Sequence, residues 1–197
     1  MAQQWNVGIF LFDEVEVLDF AGPFEVFSVT ALDDGSKPFS VKTISENGNM
    51  VSARNGLKVQ PDYRLDQMRE IDILIIPGGY GARVTEIHNE HVIGWISNQM
   101  AKVKLMASVC TGAFLLAKAG LLNGKRATTH WASIEQMKKD FPEVSVQQNV
   151  KFVDEGNIIT SGGISAGINM SFHIVKRLLG EKTAKETARR MEYDIEI

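Results

Sequence analysis

Three short runs of almost purely apolar residues are the feature that most constrains the fold of this sequence. They are Val7–Phe12, Ile71–Ile76 and Leu105–Val109. Such short, continuous runs are typical of buried parallel strands, because helices cover both faces of a parallel sheet. A fourth run, Phe39–Ile44, alternates apolar and polar residues and therefore predicts a more exposed strand.

Helical patterns separate the predicted strands. They cover residues 23–29, 84–102, 111–119, 132–139, 166–179 and 182–191. Residues 50–60 and 150–160 each predict a hairpin. Strands that alternate with helices predict a three-layer α/β/α sandwich with a mostly parallel central sheet, a flavodoxin-like fold. Folds of this class bind ligands beyond the carboxyl ends of their strands.

Length, charge and cysteine content narrow the class of protein. The 197 residues fit one domain, spanning 1–197. A formal net charge of -3 gives no electrostatic basis for a nucleic-acid partner. A single cysteine excludes an internal disulfide and suits a reducing compartment, so we expect a cytoplasmic protein. No stretch approaches the roughly 18 apolar residues that a membrane span needs, so we expect no membrane partner.

That cysteine, Cys110, stands where the Leu105–Val109 run meets a helical pattern beginning at Ala113. Gly112 follows it by two residues. The order matches a nucleophile elbow, a tight strand-to-helix turn that holds a nucleophile at the tip of a sheet. The positive end of the following helix is expected to lower the pKa of the thiol. The alternative is that Cys110 is a small buried hydrophobic residue without chemistry.

Two other segments are predicted to reach the same edge of the sheet. Asp19 follows the first strand between apolar neighbours, and a partly desolvated carboxylate there can exchange protons with a substrate. The alternative is that Asp19 only caps the helix that contains Pro23. Gly78 and Gly79 follow the second apolar run and can offer backbone N–H groups as an oxyanion hole, or form a simple turn.

Two further candidates carry structural alternatives. His130 lies 20 residues after Cys110 and can serve as the base of a Cys-His pair, but a structural hydrogen bond is the favoured interpretation. Gly163, between a predicted strand and helix, either forms a wall of the site or only begins the helix. His88 and His91 have no third ligand nearby, so we expect no metal.

Together these segments resemble the PfpI/ThiJ superfamily, whose fold is like that of class I glutamine amidotransferases. The resemblance extends over residues 7–193 and is most specific in residues 18–23, 76–79, 108–112, 127–131 and 162–168. Proteases and deglycases of the superfamily typically carry histidine where this chain has Thr111, and glutamate where it has Asp19. Aspartate with Cys-Thr-Gly is the pattern of isocyanide hydratases, which convert an isocyanide and water into an N-substituted formamide.

The resemblance implies roles for individual residues. The Cys110 thiolate would attack the isocyanide carbon, and Asp19 would move the protons. Thr111 would hydrogen-bond Asp19 or the substrate. Backbone N–H groups near Gly79 and Thr111 would orient the substrate. Phe20 and Tyr80 would line an apolar pocket for a small-molecule substrate, without a cofactor.

Assembly and competing activities also follow from the resemblance. Homodimers with the site near the interface are usual in the superfamily, so we expect a homodimer. The same residue pattern occurs in sensor domains of AraC-type regulators, but the sequence ends at Ile197, so we expect no helix-turn-helix domain here. The alternatives are a glyoxalase, deglycase or amidase on the same fold, a redox sensor acting through oxidation of Cys110, or a sensing module for a separate regulator.

Overall fold

The computed structural model describes residues 4–68 and 70–195 and contains, within them, eleven strands and seven α-helices. The strands are β1 (Trp5–Leu11), β2 (Phe39–Ser45), β3 (Val51–Ser52), β4 (Lys58–Val59), β5 (Tyr63–Arg64), β6 (Ile73–Ile76), β7 (Leu105–Ser108), β8 (Arg126–Ala127), β9 (Ser145–Val146), β10 (Phe152–Asp154) and β11 (Ile158–Ser161). The helices are α1 (Val17–Val29), α2 (Tyr80–Val84), α3 (Glu90–Gln99), α4 (Gly112–Lys118), α5 (Ile134–Asp140), α6 (Ala166–Leu179) and α7 (Glu181–Arg190).

Seven strands form the central sheet, in the order β10-β11-β7-β6-β1-β2-β5. Every neighbouring pair is parallel except β10 and β11, which are antiparallel. Helices α1, α6 and α7 pack against one another, and α2, α3 and α4 form a second group. The fold is therefore the predicted three-layer α/β/α sandwich with a mostly parallel sheet.

The topology brings the chemistry-bearing segments to one edge of the sheet. Four strands lie side by side in the sheet in the order β11-β7-β6-β1, and each pair of neighbours among them is parallel. Their carboxyl ends therefore lie at the same edge of the sheet. Asp19 follows β1, Gly78 follows β6, Cys110 follows β7 and Gly163 follows β11. The predicted convergence at the carboxyl edge is present in the structure.

Both predicted hairpins are confirmed. Strands β3 and β4 pair antiparallel around a 3-10 turn at Arg54–Gly56, and β10 pairs antiparallel with β11. Helix α6 matches its prediction and ends at Gly180, whose φ of 91° and N–H bond to the Lys176 carbonyl close the last turn. Among the residues described, no helix is both long and apolar enough to cross a membrane.

Two helix boundaries were predicted wrongly. Helix α1 begins at Val17, six residues before Pro23, because buried side chains on both sides of the proline hold one continuous helix against the sheet. The predicted helix over 84–102 is not continuous: α2 ends at Val84, a 3-10 turn covers Glu86–His88, and α3 begins only at Glu90. The break falls at Asn89, whose side chain accepts a 3.3 Å hydrogen bond from the Val92 N–H and starts α3.

Candidate active site

Cys110 occupies the turn between β7 and α4. Its φ is 55°, in the left-handed region that non-glycine residues seldom adopt, as a nucleophile elbow requires. Its N–H donates to the carbonyls of Ser161 and Gly162, both at 3.2 Å. Gly112 allows the turn to pack tightly, since a Cβ there would overlap the Ile76 carbonyl oxygen. The strand-to-helix turn predicted at Cys110 is present.

Asp19 is fully buried in the first turn of α1. Its Oδ2 accepts a 2.9 Å hydrogen bond from the Gly78 N–H, whereas Oδ1 has no hydrogen-bond partner in the described structure. The residue at the cap position is Glu16, so the interpretation of Asp19 as a helix cap is wrong. Asp19 is instead a carboxyl anchored by one oxygen, with the other oxygen available for chemistry.

Burial raises the pKa of Asp19 to about 7 from an ordinary value of 3.8. The nearby charge of Glu16 raises this pKa further, while the Gly78 N–H and the Cys110 thiol act in the opposite direction. The carboxyl therefore changes protonation near neutral pH. A group with this behaviour can take up and release a proton during a reaction cycle.

The pKa of Cys110 is raised to about 12, so the expectation of a lowered thiol pKa is wrong. Burial is the largest cause, because the residue is only 6% exposed, and the negative charge of Asp19 adds to it. The N–H groups of Thr111 and Ile164 and the Thr111 hydroxyl favour the thiolate but do not outweigh burial. Cys110 therefore stays protonated at neutral pH until a base removes its proton.

Gly78 and Gly79 use their N–H groups within the protein. The Gly78 N–H donates to Asp19, and the Gly79 N–H donates to Thr111 Oγ1 at 2.9 Å. The Thr111 hydroxyl in turn donates to the Gly79 carbonyl at 3.2 Å. The N–H groups of both glycines are therefore occupied, which contradicts the oxyanion hole expected from them. The Thr111 hydroxyl bonds Gly79 and not Asp19, and the alternative, a hydrogen bond from Thr111 to the substrate, stays a prediction. Both glycines position other groups, and the N–H donors that face the sulfur belong to Thr111 and Ile164.

Ile164 is a site residue that the sequence analysis missed. Its φ is 51°, an outlier for a β-branched side chain, and it lies at the entry to α6 beside Cys110. Backbone strain of this kind costs on the order of 1–3 kcal/mol and persists where the surrounding structure fixes it. No local pattern marks an isoleucine for this conformation, so only the structure could identify it.

Cys110 opens into a cavity of about 260 Å³. Its walls include Glu16, Arg54, Tyr80, Arg83, His130 and Ile164. Tyr80 lines the cavity as expected, but Phe20 does not, because its side chain is packed in the hydrophobic core. The expectation of an apolar pocket is therefore wrong: two arginines and a glutamate stand in its walls.

His130 reaches the same cavity without a hydrogen bond to Cys110 in the described structure. Its Nδ1 accepts a 3.3 Å hydrogen bond from the Ala132 N–H and thereby caps a 3-10 turn. Burial and the charge of Arg83 lower the pKa of His130. Gly163 lies against its ring, where a Cβ would overlap the imidazole. This geometry favours the structural interpretation of His130, with Gly163 forming the wall behind it.

No group of three or more His, Cys, Asp or Glu side chains within 4–68 and 70–195 could hold a metal ion. The groups that converge on Cys110 are one carboxyl, one hydroxyl and two backbone N–H donors. These groups can transfer protons and stabilise a charged sulfur. The arrangement supports nucleophilic chemistry by a cysteine with a carboxyl as acid and base.

Replacing Gly78 by alanine is expected to destabilise the protein by about 1–3 kcal/mol, because of overpacking. A Cβ at Gly78 would lie 2.5 Å from the Thr111 nitrogen and 2.9 Å from the Gly112 nitrogen. Urea unfolding measures the free-energy change. Gly94→Ala in α3 is the matched control, since a Cβ there has no atom within 4 Å and should leave stability equal or higher. Equal stabilities of the two variants would contradict the close approach of these two loops.

Three comparisons with known proteins agree with the fold. Isonitrile hydratase of Pseudomonas putida is 33% identical over 188 residues, which cover 95% of this chain and 78% of that protein. The transcriptional regulator GbdR of Pseudomonas aeruginosa (strain UCBPP-PA14) is 28% identical over 189 residues, 96% of this chain, and the chain spans only 51% of its length.

A solved structure of a THiJ/PfpI family protein from Pseudomonas syringae superposes with a TM-score of 0.87 at 23% identity. The match covers 100% of this chain and 78% of that one. The family model for the DJ-1/PfpI family matches residues 6–177, which include the elbow, the buried carboxyl and the glycine loops. From the sequence match and the shared architecture, the chain belongs to the DJ-1/PfpI family.

Proposed function

We propose that this protein is a hydro-lyase that adds water to isocyanides and forms N-substituted formamides through a covalent intermediate on Cys110. The observation that carries the proposal is the buried Asp19 carboxyl beside the thiol, with Oδ1 unpartnered and a pKa of about 7. An isocyanide needs a nucleophile at its terminal carbon and a proton at the same carbon. The thiol and the carboxyl can supply both from adjacent positions.

In the first half of the reaction, the sulfur of Cys110 forms a bond to the terminal carbon of R–N≡C. The Asp19 carboxylate removes the thiol proton as the bond forms and then delivers it to the same carbon. The product is a thioimidate, R–N=CH–S–Cys110. The raised pKa values of both groups support this order, because the thiol holds its proton until the carboxylate accepts it. The N–H groups of Thr111 and Ile164 stabilise negative charge on sulfur during the transfer.

In the second half, water adds to the thioimidate carbon while Asp19 accepts one of its protons. The second proton of the water moves to nitrogen as the C–O bond becomes a carbonyl, the C–S bond breaks, and the formamide R–NH–CHO leaves. The proton held by Asp19 returns to the sulfur, so one water is consumed and the enzyme is restored. Binding of Oδ2 to Gly78 leaves Oδ1 to serve both halves of the reaction.

Two observations favour hydration over the alternatives. Thr111 follows the cysteine, and His130 is engaged with Ala132 rather than with the sulfur, so the Cys-His arrangement of a deglycase or amidase lacks support here. A redox sensor requires an exposed thiol of low pKa, whereas Cys110 is buried with a raised pKa. The 33% identity to isonitrile hydratase supports the same choice of reaction.

We further infer that residues 1–197 act as one catalytic domain. We also infer that two copies of the chain form a homodimer whose interface lies near the mouth of the cavity. One continuous hydrophobic cluster joins the helices and the sheet, which supports the single domain. Tyr80 is 50% exposed in the cavity wall and Trp131 is 81% exposed beside His130, so two large aromatic side chains near the mouth are available for a partner subunit to cover. Sedimentation velocity measures the assembly, and a monomer at micromolar concentration would contradict it.

The experiment that tests the reaction offers the wild-type protein an aryl isocyanide and, in parallel, methylglyoxal. Ultraviolet absorbance follows loss of the isocyanide, and mass spectrometry in H₂¹⁸O identifies one labelled oxygen in the formamide. Turnover of the isocyanide alone supports the hydratase. Turnover of methylglyoxal alone would contradict it and favour the glyoxalase alternative.

A further inference from the structure

The two arginines in the cavity wall differ in what they contact. Arg54 forms an ion pair with Glu14 at 2.7 Å and lies over the Tyr80 ring, 5.5 Å from its centroid. Arg83 also lines the cavity, but it forms no ion pair with any residue of the described structure. The cavity therefore contains one guanidinium that is already neutralised and one that is not.

Glu16 is the one acidic side chain among the described residues that line the cavity. Its charge raises the pKa of Arg54 together with Glu14, and it also acts to raise the pKa values of Asp19 and His130. It makes no ion pair with Arg83 within the described residues. Arg54 has its carboxylate partner in Glu14, and the guanidinium of Arg83 remains available to a ligand.

A second donor lies near Arg83. His130 Nδ1 accepts from Ala132, which places the ring proton of the neutral imidazole on Nε2. Burial and the charge of Arg83 lower the pKa of His130, while the charge of Glu16 acts in the opposite direction. Arg83 and His130 therefore present N–H donors to the same cavity and, between them, no acceptor.

The position of these donors relative to the sulfur sets which end of a substrate they meet. The isocyanide carbon must reach Cys110, which is 6% exposed at the base of the cavity. The substituent on nitrogen then extends toward the exposed residues of the wall, among them Arg83 and Tyr80. A planar carboxylate on that substituent matches the paired donors of a guanidinium.

We propose that Arg83 is a specificity-determining residue and that the substrates are isocyanides whose nitrogen substituent carries a carboxylate. The inference rests on the proposed hydratase function. It names a substrate class and leaves the covalent chemistry at Cys110 unchanged. The carboxylate pairs with Arg83, accepts a hydrogen bond from His130, and holds the isocyanide carbon toward the sulfur.

The test compares three aryl isocyanides of one shape: 4-isocyanobenzoate, its neutral methyl ester, and the cationic 4-(aminomethyl)phenyl isocyanide. For the wild type, kcat/KM is expected to be at least tenfold higher for the carboxylate than for the ester, and lowest for the cation. In Arg83→Gln the carboxylate-to-ester ratio should fall to about one, and Arg83→Lys should retain part of it. Arg189→Gln on α7 removes the same charge far from the cavity and should keep the wild-type ratio.

Binding of the corresponding products separates this inference from the reaction itself. Calorimetry measures the Kd of 4-formamidobenzoate and of its methyl ester for the wild type and for Arg83→Gln. A carboxylate preference of tenfold that is lost in Arg83→Gln supports the inference even if no isocyanide is consumed, in which case only the proposed reaction fails. Equal Kd and kcat/KM values for carboxylate and ester, or a preference that survives in Arg83→Gln, would overturn it.

Discussion

Replacing Cys110 by serine is expected to lower kcat/KM for an aryl isocyanide by about 10⁴-fold or more. Serine keeps the size of the side chain and its backbone donors, but its hydroxyl is a far weaker nucleophile than sulfur and a poorer leaving group. Asp19 can remove a thiol proton because the pKa of the carboxyl is raised to about 7, but it cannot do so efficiently for an alcohol. Loss of isocyanide absorbance over time measures the rate.

The fold of the serine variant serves as the control for this experiment. Cys110 lies in a strained turn at φ 55°, and serine is expected to adopt the same backbone because the bonds to Ser161 and Gly162 remain. Circular dichroism and the melting temperature should therefore match the wild type closely. A folded serine variant with more than a tenth of the wild-type rate would show that the sulfur forms no bond to the substrate.

Replacing Asp19 by asparagine is expected to lower kcat/KM by about 10³-fold, within the range usual for a lost acid–base group. The amide can still accept the Gly78 hydrogen bond, but it cannot accept the thiol proton or return it to carbon. Because Asp19 must be ionised to act as a base, kcat/KM of the wild type should rise with pH and level off above about 7. The asparagine variant should lack this step, and a wild-type profile in the variant would contradict the assignment.

Stability measurements separate lost chemistry from lost structure in the asparagine variant. The pKa of Asp19 is raised on folding, so its contribution to stability is present below pH 3.8 and is lost as pH rises through about 7. The free energy of unfolding of the wild type should therefore fall relative to Asp19→Asn between pH 5 and pH 8, by a few kcal/mol at most. Glu86 also has a pKa raised to about 7, but both proteins contain it, so its effect cancels.

The layers of the fold could be predicted because the apolar residues that its main strands and helices bury follow a simple pattern along the sequence. The run Leu105–Val109 and the helix 166–179 have clear periodicities and unambiguous ends, and the structure reproduces both within a residue. The helix at residues 84–102 could not be divided correctly, since its break depends on how Asn89 turns its side chain back to the backbone. The early start of α1 depends on packing around Pro23, which local propensity does not describe.

The candidate site was predictable where residues follow strand ends and unpredictable where they come from elsewhere. Asp19 and Cys110 meet because parallel strands end at one edge. Arg54 comes from a hairpin distant in sequence, and Arg83 from α2, a short helix that lies almost entirely before the predicted helix over 84–102. The direction of the Cys110 pKa was wrong because burial and the neighbouring carboxyl outweigh the backbone donors, and neither effect can be weighed before the fold is known.

The most direct measurement is the intact mass of the protein quenched with acid during turnover of a slowly hydrolysed aryl isocyanide. A thioimidate adds the complete mass of the isocyanide to the chain, since the thiol proton moves to carbon and nothing is lost. We predict this increment on the wild type, mapped by fragmentation to Cys110, and its absence from Cys110→Ser. An enzyme that consumes isocyanide while its quenched mass stays unmodified, under conditions in which a synthetic thioimidate survives the quench, would contradict the covalent mechanism.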